Sequence, residues 1–428
     1  MQTIANGIIL KGLDLKPSKE NILIDNGEII EISPKVLEGE IIDASDSYVV
    51  PSFLNAHTHI GDSIIKDCGD GKTIDEIVKP PNGLKHRVLS NSSDDELIES
   101  MKSSMMDMLS SGTTHFIDYR EGGIEGIKLL KKASKDIPIN PIILGRDDIF
   151  YDNQADPSKV RKKIKSILKI ADGIAPSGFG EISDETAKII VDECRKASKI
   201  SSIHVGEYES LQKDSLLKFK KTEIEKGVDF NFNLLIHLTY PMNNDLDKVF
   251  KNSKITSISL CPRSNGVLSL GIVPLNVIIE KRIKPLLGTD NIMFNSPNMM
   301  NEMEYALKAV RANYGTYINP KDILQMATTN IVSNSINSIN SINSFNSINN
   351  KNISDNKLEN QESVNEDNDN NIFNLNSIVK KSIIDIKNSP QLVIVKKHSN
   401  NPYLNIINRV ETKDIKYVFN GENYIDFT

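Results

Sequence analysis

The sequence predicts an α/β fold in which a TIM-like (β/α)8 barrel carries a small flanking β-sandwich built from both chain ends. Three observations support this prediction. Eight apolar runs recur through residues 49–330, and charged amphipathic stretches separate them. Short hairpin-like strands occupy both ends of the chain. At 428 residues the chain is long enough for one large domain and one smaller one.

The flanking sandwich is predicted from residues 1–48 and 373–428. In the first segment, Asn26-Gly27 stands between two apolar runs and predicts a tight hairpin, because both turn residues need a positive φ. The second segment follows the same pattern. Its strands are expected at 391–395, 405–410 and 416–419, with a turn at Asn420-Gly421. Neither segment has enough strands to bury a face alone, so we expect them to combine.

The barrel is predicted for residues 49–330. Its first strand is expected from Tyr48 to His59. Seven further strands are expected at 113–118, 141–145, 173–176, 200–205, 232–238, 255–260 and 283–287. Asp156-Pro157, an N-cap followed by proline at the first helical position, begins one intervening helix. A doubly wound sheet is the competing fold, but no glycine-rich phosphate loop follows the first strand.

Residues 331–372 have a different composition from the rest of the chain. Asn-Ser-Ile repeats are followed by an acidic stretch rich in asparagine. Such a composition cannot bury enough apolar surface to offset the entropy lost on ordering. We therefore expect a disordered insertion between the barrel and the returning strands.

The composition excludes several classes of function. A formal net charge of −6 argues against a surface for nucleic acid or anionic membrane. The three cysteines, Cys68, Cys194 and Cys261, are far apart, which suits a reducing cytoplasm and no disulfide framework. No secretory signal or bilayer-spanning apolar stretch is recognisable. We expect a cytoplasmic protein that acts on a small molecule. The sequence does not decide whether it forms a homo-oligomer.

Four predicted strands end in side chains that bind metals or transfer protons. They are His57 and His59 after the first strand, His204 and Glu207 after the fifth, His237 after the sixth and Asp290 after the eighth. Taken singly, each histidine could be a hydrogen-bonded core residue, and each acid a helix N-terminal residue. Four of the seven histidines share one place in the β/α repeat, which favours a common site at the barrel mouth. His86, His115 and His398 are assigned structural roles.

The spacing of these residues resembles that of the amidohydrolase superfamily. His57-Thr58-His59, His204, His237 and Asp290 look like its metal-site residues, and His204-Val205-Gly206-Glu207 resembles the His-x-x-Glu of one branch. That branch contains cytosine, guanine and adenosine-type deaminases and triazine hydrolases. Cys261–Asn265 and Leu287–Asn291 also resemble its segments, so the likeness covers nearly the whole chain outside residues 331–372.

The resemblance implies one divalent metal ion, zinc or alternatively ferrous iron. Its ligands would be His57, His59, His204 and Asp290, with His237 off the metal. Binuclear members add a carboxylated lysine on the fourth strand, and residues 172–181 contain no lysine, although Glu181 could bridge a second ion. The chain lacks Cys-x-x-Cys and His-Glu-x-x-His, which excludes cytidine-type zinc deaminases and zincins.

The expected reaction is hydrolytic deamination of an amino-substituted nitrogen heterocycle, purine-like or nucleoside-like. A metal ion lowers the pKa of its bound water toward neutrality, which supplies hydroxide as the nucleophile. Asp290 would accept the proton of that water, His237 would orient the nucleophile, and Glu207 would protonate a ring nitrogen. The alternatives are a cyclic-amide or carbon–halogen hydrolase of the same fold, and a catalytically silent barrel that serves as a binding protein.

Substrate contacts are predicted at four positions. Arg120, Arg146 and Arg263 follow strands two, three and seven, where a guanidinium suits a carboxylate or phosphate. Salt bridges at the helix starts explain these arginines equally well. Asn265 would hydrogen-bond the substrate by family likeness alone. The long connection from Gly61 to Ser90 is expected to carry specificity or to form a lid.

Overall fold

A computed structural model describes residues 1–78, 83–331 and 383–428 of the chain. Apart from Ile331, the insertion predicted at 331–372 lies outside the described residues. The strands are β1 (Gln2–Ala5), β2 (Ile8–Lys11), β3 (Lys16–Ser18), β4 (Asn21–Asp25), β5 (Glu28–Ser33), β6 (Glu40–Asp43), β7 (Ser47–Pro51), β8 (Phe53–His59), β9 (Thr113–Arg120), β10 (Asn140–Gly145), β11 (Gly173–Ile174), β12 (Ile200–Val205), β13 (Leu234–His237), β14 (Ser257–Leu260), β15 (Leu286–Leu287), β16 (Asp290–Asn291), β17 (Gln391–Lys396), β18 (Ile415–Asn420) and β19 (Asn423–Asp426).

Helices connect these strands and cover the outside of the barrel. They are α1 (Ile74–Val78), α2 (Leu84–Asn91), α3 (Asp94–Ser110), α4 (Gly123–Ser134), α5 (Pro157–Leu168), α6 (Asp184–Lys196), α7 (Glu209–Phe219), α8 (Glu223–Asp229), α9 (Asp245–Lys251), α10 (Pro262–Val267), α11 (Leu275–Glu280), α12 (Met299–Tyr314), α13 (Pro320–Met326) and α14 (Pro402–Asn408). The predicted start of α5 is confirmed, since Asp156 Oδ1 accepts a hydrogen bond from Ser158 N at 2.7 Å. No helix among the described residues is long and apolar enough to cross a membrane.

The barrel is a parallel sheet that closes through its eighth strand. Strands β8 to β14 lie side by side in chain order. The eighth strand has two parts: β15 pairs with β14, and β16 pairs with β8, where Asp290 lies opposite Thr58. Gly288 lies between the two parts, and a Cβ on it would lie 2.6 Å from the Cβ of His57. Only glycine therefore lets the eighth strand pass this close to the first, and the predicted barrel is confirmed.

Apolar side chains fill the barrel below its carboxyl end. They include Leu54, Ile117, Leu144, Leu234, Ile236 and Leu286. Side chains alternate between the inside and the outside of the barrel along each strand. The inward-pointing residues closest to the carboxyl end of each strand therefore face the mouth of the barrel. This packed interior leaves the mouth as the place for polar side chains.

The sandwich contains two sheets built from both ends of the chain, as predicted. One has the strand order β5-β4-β1-β6 and the other β19-β18-β17-β7-β2-β3. Their facing side chains share one apolar core, which includes Ile4 and Ile22 of the first sheet and Val49 and Leu392 of the second. The predicted hairpin at Asn26-Gly27 joins β4 to β5, with φ values of 47° and 71°.

The stretch predicted as one strand from Tyr48 to His59 consists of two strands in different sheets. β7 pairs with β17 and β2 of the sandwich, whereas β8 begins the barrel. Ser52 lies between them and donates its backbone N–H to Gln391 O at 3.0 Å. The apolar run is continuous across the junction because both strands are buried, so the pattern does not show where one sheet ends.

The strand predicted at 405–410 is wrong, because residues 402–408 form the helix α14. The side chain of Asn401 accepts a hydrogen bond from Leu404 N at 3.0 Å, and Pro402 occupies the first helical position. This is the same start signal as at Asp156-Pro157. In a short segment the helix-start signal of this N-cap is stronger than the tendency of the following apolar run to form a strand.

Candidate active site

The carboxyl ends of the barrel strands bring the predicted histidines together. His57 and His59 lie in β8, His204 in β12 and His237 at the end of β13. The ring centroid of His57 lies 5.0 Å from those of His59 and His204, and 5.8 Å from that of His237. Side chains from three separate strands therefore converge on one point above the apolar interior.

Asp290 completes this cluster from the closing strand β16. Its Oδ1 lies 3.1 Å from Nε2 of His57 and 3.5 Å from Nε2 of His59. Ligand atoms of His57, His59 and His204 lie within 4.8 Å of one another, as do those of His57, His237 and Asp290. These two overlapping groups contain every residue predicted to bind the metal, and they also include His237.

The donor set fits a divalent metal ion. The Nδ1 atoms of His57 and His204 are buried and have no hydrogen-bond partner among the described residues. Burial lowers the pKa of His57 to about 4 and the pKa values of His59 and His204 well below their usual range. Burial raises the pKa of Asp290, but His57 outweighs it and leaves this pKa well below normal. Neutral imidazoles with an ionised carboxylate are the forms that bind zinc.

A second carboxylate fixes the orientation of His59. Oε1 of Glu121, the residue after β9, lies 3.0 Å from Nδ1 of His59. Burial raises the pKa of Glu121, but Lys85 and His59 together hold it well below its usual range. The pair assigns the proton to Nδ1 and leaves Nε2 facing Asp290, which is how outer carboxylates orient metal-binding histidines. Glu121 was not among the predicted site residues, although its place directly after a barrel strand was a usable signal.

The backbone is strained at two residues of the cluster. His237 has φ 77° and Asp290 has φ 60°, in the left-handed region that non-glycine residues rarely adopt. Hydrogen bonds to both carboxylate oxygens hold Asp290: Ser264 Oγ donates to Oδ2 at 2.6 Å and Asn291 Nδ2 to Oδ1 at 3.1 Å. Strain that the surroundings maintain in this way is concentrated at functional sites.

Glu207 lies beside the cluster, as predicted. Its Oε1 is 3.7 Å from Nε2 of His237, and its side chain is 16% exposed. Burial raises its pKa, although His237 opposes the shift. The chain turns between β12 and this side chain at Gly206, whose φ is 58°. A carboxyl group with a raised pKa can act as a proton donor near neutral pH.

An open cavity of about 770 Å³, including solvent at its mouth, lies over the cluster. One part of its wall is apolar and includes Ile74, Val78 and Leu211. Glu181 and Glu223 line another part. Among the described residues, neither close group of metal-competent atoms includes Glu181. The cavity thus offers an apolar surface and several carboxyl groups to a ligand that reaches the histidines.

Of the four predicted substrate contacts, only Arg146 lines the cavity. Its Nη2 is buried without a hydrogen-bond partner among the described residues. Arg120 turns away, with its Nη2 3.3 Å from Oε2 of Glu121. Arg263 donates from Nη1 to Ser296 O at 3.0 Å, and Asn265 donates from Nδ2 to Thr239 Oγ1 at 2.8 Å. These three residues therefore give no support to a direct substrate contact, because neighbouring groups on the protein hold them.

The histidines assigned to structural roles lie in different places. His115 lies 3.0 Å from Thr114 Oγ1 through Nδ1, and His398 lies 3.1 Å from Asp414 Oδ2 through Nε2. His86 lines the cavity, although its Nε2 is 3.0 Å from Val78 O. Its neighbour Lys85 also lines the cavity. Both residues lie in the connection from Gly61 to Ser90 that was expected at the mouth, although neither was predicted individually.

Comparison with known proteins agrees with this geometry. A model of the amidohydrolase family matches residues 48–333. A provisionally named aminohydrolase of Methanothermobacter thermautotrophicus is 42% identical over 419 residues, covering 98% of this chain and 97% of that protein. A 5-methylthioadenosine/S-adenosylhomocysteine deaminase of Pyrococcus abyssi is 24% identical over 346 residues, covering 76% and 79% of the two chains.

The fold is also similar to that of a solved structure. An adenosine deaminase of Xanthomonas campestris with bound zinc matches 98% of this chain and 91% of its own, with a TM-score of 0.73 and 13% identity. At that identity the likeness concerns the fold alone. The family match spans more than half of the chain, and the first relative covers nearly all of it. The protein therefore belongs to the amidohydrolase family.

Proposed function

We propose that the protein is a metal-dependent aminohydrolase that deaminates an amino-substituted nitrogen heterocycle, purine-like or nucleoside-like. One observation carries the proposal: His59, His204, His237, Asp290 and Glu207 line one cavity, and His57 lies directly beneath them within the same cluster. In the reaction, water adds to the ring carbon that bears the amino group. The carbon–nitrogen bond then breaks, ammonia leaves and a ring carbonyl remains.

Each residue of the cluster has a role that its position supports. His57, His59, His204 and Asp290 would hold one divalent ion, zinc or ferrous iron, which supplies Lewis acidity and lowers the pKa of water. Asp290 accepts a proton from the attacking water, because it is ionised and points at the cluster. His237 hydrogen-bonds the water or the substrate beside it. Glu207 donates a proton to the ring nitrogen. Asp290 passes the proton taken from water to the departing ammonia, and Glu207 recovers a proton from the hydroxyl group as the ring carbonyl forms.

The nature of the relatives supports the choice of reaction. The relative that covers nearly the whole chain is named as an aminohydrolase, and a more distant one is a deaminase of two adenosine derivatives. The cavity is compatible with such a ligand, because its apolar wall suits a flat ring and its carboxyl groups suit hydroxyl or amino substituents.

The test is an ammonia-release assay on zinc-loaded protein with a panel of aminated purines, nucleosides and pterins. The matched control is the same protein after removal of metal by a chelator. We expect at least one member of the panel to release ammonia, and the chelated protein to be inactive until zinc is restored. Zinc-loaded protein that releases no ammonia from the panel would contradict deamination, and protein that binds no divalent metal would contradict the whole site.

A further inference from the structure

A buried lysine from outside the barrel strands reaches the mouth of the barrel. Lys85 lies in the first turn of α2, a helix of the long connection between β8 and β9. Its side chain is only 3% exposed and lines the cavity. An ammonium group is costly to bury unless carboxylates or other acceptors surround it, so its partners determine what it does.

The three partners of Lys85 come from three different parts of the chain. Its Nζ lies 2.7 Å from Oε1 of Glu121 and donates to Oδ1 of Asn291 at 3.0 Å. Oδ2 of Asp62 lies 3.4 Å away. A lysine ammonium has three N–H groups. Asn291 accepts a hydrogen bond from one of them, and the carboxylates of Glu121 and Asp62 lie within ion-pair distance, so the charge is compensated by groups on the protein.

Two of these acceptors are each one hydrogen bond away from the predicted metal ligands. Glu121 shares Oε1 between Lys85 and Nδ1 of His59. Asn291 accepts from Lys85 through Oδ1 and donates to Oδ1 of Asp290 through Nδ2, at 3.1 Å. The ammonium thus connects to a residue of β8 and to a residue of β16, on the two strands that close the barrel.

The third acceptor fixes the start of the long connection. Asp62 lies in the 3-10 helix Ile60–Ile65 that follows His59 directly. Its Oδ1 accepts a hydrogen bond from Met293 N at 3.1 Å, just beyond β16. Lys85 therefore joins α2 to both sides of the metal-binding cluster through groups that are already anchored there.

We propose that Lys85 is a positioning residue for the metal centre. It keeps Glu121 on Nδ1 of His59 and Asn291 on Asp290, so docking of α2 against the mouth completes the site. This inference rests on the metal site of the proposed function. A direct role in substrate binding is disfavoured because Asn291 and two carboxylates already surround the ammonium of Lys85. The neighbouring Arg146, in contrast, has a buried Nη2 without a hydrogen-bond partner among the described residues.

Loss of the ammonium has a specific expected consequence. Glu121 would keep two other cations, because Nη2 of Arg120 lies 3.3 Å from Oε2 and Nη1 of Arg146 lies 3.8 Å from Oε1. These guanidinium groups would draw the carboxylate away from His59. Loss of such an outer partner of a ligand weakens metal affinity by about 10-fold to 100-fold.

The test measures zinc affinity of the chelator-stripped full chain by competition with a chromogenic chelator. The variants are Lys85→Met, Glu121→Gln and their combination. The matched control is Lys226→Met, since Lys226 is also 3% exposed but does not line the cavity. We expect Lys85→Met to weaken zinc binding about 10-fold and the control to bind as the unchanged protein does. The combined variant should lose less than the product of the two single losses, because both changes break one connection.

Three results would overturn the inference. The first is an unchanged zinc affinity of Lys85→Met. If KM for the substrate rises while zinc affinity is unchanged, Lys85 contacts the substrate and does not position the metal ligands. The second is a combined loss equal to the product of the single losses. The third is unchanged protein that binds no zinc, which also removes the metal site of the proposed function. If circular dichroism shows that Lys85→Met does not fold, Lys85→Gln takes its place under the same criteria.

Discussion

Two regions of this molecule bury a lysine to the same extent, and they compensate its charge differently. At the barrel mouth, three buried side chains, Asp62, Glu121 and Asn291, place oxygens within 3.4 Å of the Nζ of Lys85. On the outside, Lys226 of α8 lies over two aromatic rings, with its Nζ 3.9 Å from the ring centroid of Phe219 and 4.5 Å from that of Phe179. Among the described residues its one carboxylate partner is Asp184, whose Oδ1 lies 2.6 Å away on a half-exposed side chain.

The ammonium group of Lys226 contributes to packing on the outside of the barrel, whereas that of Lys85 contacts residues next to the metal-binding cluster. Among the described residues, the partners of Lys226 belong neither to the metal-binding cluster nor to the lining of its cavity. We therefore expect the loss of Lys226 to affect local stability. The partners of Lys85 hold His59 and Asp290. Around them, buried nitrogens of His57, His204 and Arg146 lack hydrogen-bond partners among the described residues and lie within one cluster, whereas the Nζ of Lys226, which also lacks one, lies alone over its rings. Several unpartnered buried nitrogens that face one cavity favour a ligand there, because buried polar groups are usually paired.

The largest expected effect is a loss of catalytic activity, without a loss of stability, when Glu207 at the barrel mouth is replaced. Glu207→Gln should retain zinc and lower kcat by about 10²-fold to 10⁴-fold, since an amide cannot transfer the proton. The measurement is ammonia release with metal content determined on the same sample. Glu209→Gln is the control, because Glu209 is exposed and pairs with Lys213. Normal turnover by Glu207→Gln would remove Glu207 from the mechanism.

The second effect is stabilisation by metal. Zinc at 100 times its Kd should stabilise the unchanged protein by about 2.7 kcal/mol, seen as a rise in Tm. His57→Ala should lose this rise together with bound metal in elemental analysis. His398→Ala should keep both, because His398 pairs with Asp414 in the sandwich. A zinc-dependent rise in Tm that survives in His57→Ala would place the binding site elsewhere.

The third effect is a pH-dependent change in stability caused by Glu302, a buried acid whose charge the neighbouring groups do not fully compensate. Burial raises the pKa of Glu302 to about 8, with Arg263 opposing the shift. The folded protein then holds a proton that the unfolded chain releases, so this group lowers stability as pH rises from about 4.5 to 8. Glu302→Gln should gain at least about 1.4 kcal/mol relative to the unchanged protein between pH 5 and 8.5, the equivalent of one pKa unit.

Urea unfolding at a series of pH values measures this difference. The control is Glu304→Gln on the same helix, because Glu304 is on the surface and pairs with Lys308. It should show no pH-dependent gain. A constant difference between Glu302→Gln and the unchanged protein across the pH range would show that Glu302 is ionised in the folded state.

The smallest effect belongs to the outer lysine. Lys226→Met keeps an unbranched apolar side chain between the rings and loses the charge. Asp184 stays hydrated, so the cost is limited to the cation–π contacts, about 1 kcal/mol. Chemical denaturation measures the loss, and ammonia release should be unchanged. A drop in turnover would break the contrast between the two regions.

The sequence predicted the features that repeat along the chain. Strand positions followed from apolar runs at regular spacing, and the histidines and Asp290 were recognisable because they share one place in each repeat. The predicted hairpin at Asn26-Gly27 follows from a local backbone requirement. Each of these features can be recognised from a short stretch of sequence and its place in the β/α repeat, without knowledge of contacts between distant residues.

Features that depend on distant contacts were missed. Lys85 lies in a connection without periodicity, and its partners Asp62, Glu121 and Asn291 are spread over the barrel. The left-handed φ of His237 has no signature either, since non-glycine residues rarely adopt it. The error at α14 differs in kind, because the N-cap signal at Asn401-Pro402 was present in the sequence.

The closure of the barrel sets the order in which the site can form during synthesis. The hydrogen bonds between Asn55 and Thr289 join residues separated by 234 positions, and Asp290 follows directly. A nascent chain therefore carries His57 and His59 through most of its translation before their carboxylate partner leaves the ribosome. Contacts of such long range form late in folding. We expect zinc to be captured only after the last barrel strand has emerged, while the strands of the returning sandwich segment are still to be made.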